Sequence, residues 1–272
     1  MNLTPSLVPT VNVIGSRVAA LSFQSQIDII VNWASARQSR FVCVANTHML
    51  IEAHRKLAFW SILQSADLVT PDGMPLVWMM KLMGVRRPER VAGMDIFLTL
   101  CHQALEQNSA VFFVGSQAKI LGRMQCRLER EFPGLKVAGM EPLPFGDTAP
   151  EESATLIQQI NESGANIVFV SLGCPKQEYW MAKHKNKIDA VMIGLGGVFP
   201  IYAGIQKHAP KIFRKSGLEW LYRLSQEPRR LWKRYTSTIP IFVWLALKQI
   251  YTDVLWASKQ QDPAINNQNC DV

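Results

Sequence analysis

The chain has 272 residues, a formal net charge of +8 and 48% hydrophobic residues. That is enough to bury a sizeable core in one large domain, or in one domain with an appendage. Its five cysteines show no CxxC and no paired metal-ligand spacing; Cys43, Cys101, Cys126 and Cys174 read as reduced thiols of a cytosolic protein, which excludes a disulfide-stapled scaffold. With no Lys or Arg before Arg17 and no long apolar core at the N-terminus, a signal peptide is not expected.

Residues 1–10 read as loose, Val11–Val18 as a strand and Ser25–Arg37 as a helix. The apolar run Phe41–Ala45 reads as a buried strand that feeds the polar loop Asn46-Thr47-His48, and a helix is expected over about Leu50 to Gln64. Asp67–Thr70 is the next expected strand, followed by the loop Pro71-Asp72-Gly73 and a helix over Pro75–Leu82. Asp72 has two readings here: a strand-end carboxylate, where open α/β sheets bind ligands, and the N-cap of the following helix, which this segment alone favours. Beyond a charged loop at residues 86–90, a helix through Gln107, a strand Val111–Val114, a helix Gln117–Glu131 and a strand Leu135–Gly139 follow. After a Pro- and Gly-rich loop over 141–150 come a helix Glu151–Glu162, a strand Ile167–Leu172, a helix Lys176–Lys187 and a strand Ala190–Leu195.

This alternation predicts an α/β fold, a Rossmann-like and mostly parallel sheet with helices on both faces. Three strand ends carry glycine, Gly115, Gly173 and Gly196, so backbone there can approach a phosphate. There is no GxGxxG after the first strand and no GxxxxGK[ST], which argues against a dinucleotide dehydrogenase or P-loop enzyme. At Gly173-Cys174-Pro175-Lys176-Gln177-Glu178 a strand turns into a helix. Its first amides and Lys176 suit a diphosphate, and Gln177 suits a sugar or base; an ordinary solvated helix start fits equally well. Asn46 and Asp72 end two neighbouring strands, as a general base with an amide beside it or as two helix caps. His48 and His54 have no second ligand at metal spacing, and Trp180, Trp220 and Trp232 read as packing or interface residues.

After Pro200 the character changes. Nine Lys and Arg lie between Lys207 and Arg234 against Glu219 and Glu227, a local +7. The apolar run Ile239–Leu247 is too short for a bilayer, which needs about 20 residues. A peripheral, interfacial helical appendage over 206–272 is therefore expected behind a core of 1–205, with the last dozen residues disordered.

The succession Asn46, Thr70-Pro71-Asp72-Gly73, Glu89-Arg90-Val91-Ala92-Gly93-Met94-Asp95, Gly173-Cys174-Pro175-Lys176-Gln177-Glu178, Gly194–Gly204, Gly217–Leu224 and Glu227-Pro228-Arg229-Arg230 resembles the WecG/TagA/CpsF family of glycosyltransferases. The resemblance covers about residues 10–235. It implies an inverting transfer from a UDP-sugar to a polyprenyl-diphosphate-linked sugar in envelope or exopolysaccharide synthesis. The enzyme would be peripheral at the cytoplasmic face of the inner membrane, on an anionic surface. Position by position, it implies Asp72 as general base, Asn46 as an active-site amide, Arg90 near the phosphates and Gln177 on the donor. Arg223, Arg229, Arg230 and Arg234 fall in the matching appendage, for the acceptor or diphosphate. Two positions depart from the family pattern: Val44 where many members have Thr, and Pro200 where many have Asp.

On this reading the donor diphosphate lies near Gly115, Gly173 and Lys176, with Gly196 on the same rim. No DxD pair is present and the resemblance implies no metal or other cofactor, so arginine would offset the leaving charge. Two alternatives stand beside it: an epimerase-like nucleotide-sugar enzyme needing no lipid, and a basic nucleic-acid-binding module. The preferred reading involves no nucleic acid; it is compatible with a homo-oligomer without specifying one.

Overall fold

The computed structural model describes residues 8–143 and 150–260. The expectations for most of the loose N-terminal segment, for the 141–150 loop beyond Leu143 and for the last dozen residues fall outside them. The chain opens with a hairpin, β1 (Thr10–Val13) antiparallel to β2 (Ser16–Ala19). A single strand over Val11–Val18 was expected; the chain instead reverses at Ile14-Gly15, where both residues have positive φ. Ser22 then caps α1 (Phe23–Ser35) by accepting from the Ser25 amide.

Six strands form the main sheet: β3 (Arg40–Ala45), β4 (Leu68–Pro71), β5 (Ala110–Gly115), β6 (Lys136–Glu141), β7 (Ile167–Ser171) and β8 (Val191–Gly194), in the spatial order β4-β3-β8-β7-β5-β6. All neighbours pair in parallel. Helices α2 (Thr47–Arg55), α3 (Leu57–Ser65), α4 (Met74–Leu82), α5 (Gly93–Glu106), α6 (Ala118–Glu131), α7 (Pro150–Glu162), α8 (Lys176–His184) and α9 (Val198–Tyr202) connect and follow them. The near-continuous apolar strands have their cause in burial on both faces. Val42 and Val44 join Phe113, Phe169 and Ile193 under α1, α5, α6 and α9. The alternate residues Phe41, Cys43 and Ala45 join Phe112, Val168 and Met192 under α2, α3, α4, α7 and α8.

The helix expected over Leu50–Gln64 is two helices. Lys56 adopts an extended conformation between α2 and α3, which frees α3 to pack on β2 and α8 while α2 packs elsewhere. Its partner is the C-terminal segment, made of α10 (Lys211–Lys215), α11 (Glu219–Gln226) and α12 (Pro228–Gln260). Pro228 opens α12, where a missing N–H costs nothing, and Pro240 lies inside it. The apolar run Ile239–Leu247 is thus the middle of a 33-residue helix. One face buries Phe242 and Leu245 in the core that holds Met49 and Leu50. Arg55 donates to the Ser237 carbonyl at 2.6 Å, and Gln249 bridges the Ile14 amide and the Asn12 carbonyl of the hairpin. Among the described residues no helix is long and apolar enough to cross a membrane. The expected division at residue 205 falls in the 203–210 connection between α9 and α10.

Candidate active site

Parallel pairing of β3 with β4 sets Ala45 opposite Pro71, so the next residues, Asn46 and Asp72, emerge side by side. The Asp72 amide donates to the Ala45 carbonyl at 2.8 Å and closes the edge. Asn46 is a helix cap as well as a site residue: its Oδ1 accepts from the Met49 amide at 3.2 Å, so its NH₂ end is what remains for a ligand. Asp72 is not a cap. Gly73 takes that position in α4 without a side-chain bond, and the Asp72 carboxylate turns to Arg90 and the Gly93 amide.

Arg90 joins this strand end to the C-terminal segment. Its Nε donates to the Asp72 carbonyl at 2.5 Å, and its Nη2 reaches Asp72 Oδ1 at 3.4 Å and Glu219 Oε2 at 2.6 Å. Glu219 Oε1 in turn pairs with Arg223 Nη2 at 2.9 Å. An alternating line, Asp72–Arg90–Glu219–Arg223, therefore ties β4 to α11. Partial burial pushes the Asp72 carboxyl above its ordinary value and Glu219 adds to this, against the pull of Arg90 and Arg223. Burial would raise Glu219 too, but its two arginines outweigh it and hold it below its ordinary range.

Two clefts meet at this line. A polar one of about 590 Å³ runs over the carboxyl ends of the strands, along Ser116 and Gln117 after β5, Gly173 and Cys174 after β7, and Gly194–Gly197 after β8. Its far wall is His208, Arg223, Arg230, Arg234 and Tyr235. The other, about 420 Å³, runs between α4 and α12 and is mostly apolar. Asn46, Asp72, Arg90, Glu219, Arg223, Arg234 and Tyr235 line both.

Of the residues expected from the sequence, Asn46, Asp72, Arg90, Gly173, Gly196, Arg223, Arg230 and Arg234 come together here. Four do not. Gly115 has φ +92°, and a Cβ on it would meet the Ser171 carbonyl at 2.7 Å; it packs against β7, and the cleft wall passes to Ser116 and Gln117. Gln177 is only 4% exposed and donates to Glu178 Oε1 at 2.7 Å. It lies beneath the strand-end loops, since a Cβ on Gly196 would come within 2.7 Å of its Oε1; it props the rim instead of lining it. Lys176 is exposed on α8 and lines neither cleft. Arg229 also lines neither, because Arg230 and Arg234 are four apart and share one helix face that Arg229 does not. The arginines at the polar cleft that come from α11 and α12 are Arg223, Arg230 and Arg234, on the wall opposite the strand-end loops.

Several site residues escaped the sequence reading. Glu219 reads in the sequence as an ordinary i,i+4 partner of Arg223; its signals are that it is one of only two acids in the basic run and lies within the Gly217–Leu224 motif. Arg214, counted only as part of that run, lines the apolar cleft, and His208 the polar one. His48, set aside as a core or surface residue, lines the apolar cleft; burial, then Arg234, lowers it to about 4, so it is neutral at physiological pH. Val44 and Pro200, the two departures from the family pattern, both line the polar cleft. Among the described residues no three His, Cys, Asp or Glu side chains are grouped as a metal ion would need.

Beneath the rim Glu178 is fully buried, and burial raises it to about 7 against the bond from Gln177. Its folded value lies above the ordinary 4.5, so the unfolded chain releases this proton first and the contribution of Glu178 to stability slopes down as pH rises from about 4.5 to about 7, against the opposite slope of His48. Glu178→Gln is expected to abolish that slope and gain about 3 kcal/mol over the native chain between those limits. Denaturant titrations at pH 4.5 and pH 8 measure it; parallel stability curves for the two proteins would refute the buried neutral carboxyl.

The family model for the glycosyl transferase WecG/TagA/CpsF family matches residues 11–254. The chain is similar to the N-acetylglucosaminyldiphosphoundecaprenol N-acetyl-beta-D-mannosaminyltransferase of Bacillus spizizenii, with 34% identity over 228 residues, 84% of this chain and 85% of that protein. A protein of the same name from Bacillus subtilis is 31% identical over 209 residues, 76% of this chain and 79% of its own length.

Proposed function

The chain belongs to the WecG/TagA/CpsF family and is a glycosyltransferase, and from that premise we propose that it moves N-acetylmannosamine from a UDP donor to GlcNAc-diphosphoundecaprenol with inversion at the anomeric carbon. The observation that carries this is the meeting of two unlike clefts at the line Asp72–Arg90–Glu219–Arg223. The polar cleft, with loop backbone on one side and arginines on the other, suits a nucleoside diphosphate. The apolar one suits the lipid-linked acceptor named for the two relatives.

Asp72 lies where the two substrates would meet. Its carboxylate takes the proton of the acceptor hydroxyl while that oxygen bonds to C1 of the donor sugar. The C1–oxygen bond to UDP breaks on the opposite face, and the electron pair leaves on the β-phosphate. Arg223 and Arg234, which line both clefts, offset the charge that develops there. Arg90 is occupied by Asp72 and Glu219, so its part is to orient the base. Exposed Ile212, Leu221 and Trp232 amid the basic run, with Trp244 beyond it on α12, would attach the enzyme peripherally to an anionic cytoplasmic membrane face.

The test is a panel of UDP-sugars with a short-chain GlcNAc-diphosphate lipid, the product identified by mass. A disaccharide-diphosphate lipid from UDP-N-acetylmannosamine is expected; conversion of the nucleotide sugar without acceptor would favour an epimerase-like enzyme instead. The same rate is expected in excess EDTA, because arginine supplies the charge a divalent ion supplies elsewhere. Loss on chelation with rescue by Mg²⁺ or Mn²⁺ would overturn that part.

A further inference from the structure

We propose that the cleft between α4 and α12 is a tail-binding subsite that seats the isoprene units nearest the diphosphate of the acceptor. This rests on the reading that the acceptor is a polyprenyl-diphosphate sugar. The cleft has two faces built to one pattern. From α4 come Met74, Trp78 and Leu82, spaced four apart. From α12 come Phe242, Ala246 and Ile250, at the same spacing, with Val243 and Leu247 beside them. Each set is one apolar stripe of a helix, and the stripes face each other across open space. Both helices already bury other residues against the core, Leu76 and Met80 from α4 and Leu245 from α12. Phe242 is buried at the base of its stripe, and the rest of both stripes remains as surface: Trp78 is 48% exposed, Leu82 69% and Leu247 62%.

Continuity with the base identifies the occupant. The polar groups gather at the end where Asp72, Arg90, Arg214, Glu219 and Arg234 lie, and beyond them the lining is apolar. A polyprenyl-diphosphate sugar has the same order along its length: a hydroxyl for Asp72, an anionic diphosphate for the arginines, then a hydrocarbon chain. At about 420 Å³ the cleft falls in the small-molecule range of about 300–1,000 Å³, so it holds the proximal part of the tail and leaves the rest to the membrane. Ala246 lies between Phe242 and Ile250 along the α12 stripe, and its missing bulk is what leaves the floor open.

The first measurement is kinetic, in detergent, with GlcNAc-diphosphate acceptors on a dimethylallyl and on a farnesyl tail. The native enzyme is expected to favour the farnesyl acceptor at least about 10-fold in kcat/KM, since each buried methylene adds to binding. Ala246→Phe, and independently Leu247→Asn at an exposed position, should remove most of that preference. Equal use of both tails by the native enzyme, or equal losses on both in folded variants, would overturn the subsite and leave the transfer reaction standing. The second measurement does not need turnover: farnesyl diphosphate carrying a benzophenone at its far end is photocrosslinked and mapped. Labelling of α4 or α12 is expected, and Ala246→Phe should suppress it. Labelling elsewhere, or full displacement by a diacyl phospholipid, would overturn the subsite in favour of another seat or of a general membrane-lipid groove. Labelling of these helices without transfer to any acceptor would uphold the subsite and sink the functional reading.

Discussion

Asp72→Asn is expected to lower transfer by about 10²–10⁴-fold, the usual contribution of a positioned general base, while UDP binding stays close to native. The substitution keeps the shape of the side chain and removes only its ability to take a proton. Arg90 is not left adrift by it, because its Nη2 still pairs with Glu219 at 2.6 Å and its Nε still donates to the Asp72 carbonyl. A loss of activity in the variant would thus be chemical and not a collapse of the site. The pH profile gives a second readout. Burial, with Glu219, holds the Asp72 carboxyl above its ordinary value, so the acid limb of kcat/KM should lie above that of an exposed aspartate. Activity falls as pH drops through that limb, because the protonated acid cannot accept the acceptor's proton. In Asp72→Asn the limb should vanish from the residual rate. Near-native turnover, or an unchanged acid limb, would remove Asp72 from the role of base.

Local rules place Asp72 at a strand end, although its own segment favours a helix cap and the role of base is what the family resemblance implies. Apolar runs of four to six residues covered on both faces must be parallel strands, and residues that follow paired positions such as Ala45 and Pro71 must emerge together. The glycine loops at Gly173 and Gly196 were legible for the same reason. What was not legible depended on rotation and on distance along the chain. Lys176 and Gln177 start the same helix, yet packing turns Gln177 beneath the rim and leaves Lys176 in solvent. No local pattern sets that phase. Arg229 and Arg230 are one residue apart, and only the docking of α12 on α2 decides which meets the cleft. Glu219 lies 129 residues from Arg90, and its role exists only when the appendage folds back. The break at Lys56 likewise answers to the separate partners of α2 and α3 rather than to a local breaker residue.

Arg234→Met is expected to separate stability from catalysis. Arg234 lines both clefts, but the nearby acids are committed elsewhere: Glu219 to Arg90 and Arg223, and Glu227 to Arg230. Its Nε is buried without a hydrogen-bond partner. Burial, together with Arg223 and Arg230, depresses its affinity for the proton although Tyr235 and Cys174 pull the other way. A half-buried cation whose Nε has no acceptor and whose neighbours include two more arginines costs the folded chain energy, and sites that do so are kept for what they bind. The missing partner is an anion, and the diphosphate of the donor or acceptor supplies it. Methionine keeps the length of the side chain and removes the uncompensated charge, so the free variant should melt at or above the native temperature. Transfer should nonetheless fall by about 10²–10³-fold, the cost of losing one preorganised donor to a developing oxyanion. The stabilisation that UDP gives the native protein by mass action should shrink in the variant. Melting curves with and without UDP, beside the transfer assay, decide the matter. A variant that melts lower and loses activity only in proportion would mean that Arg234 holds α12 in place, and the anion site would then rest on Arg223 and Arg230.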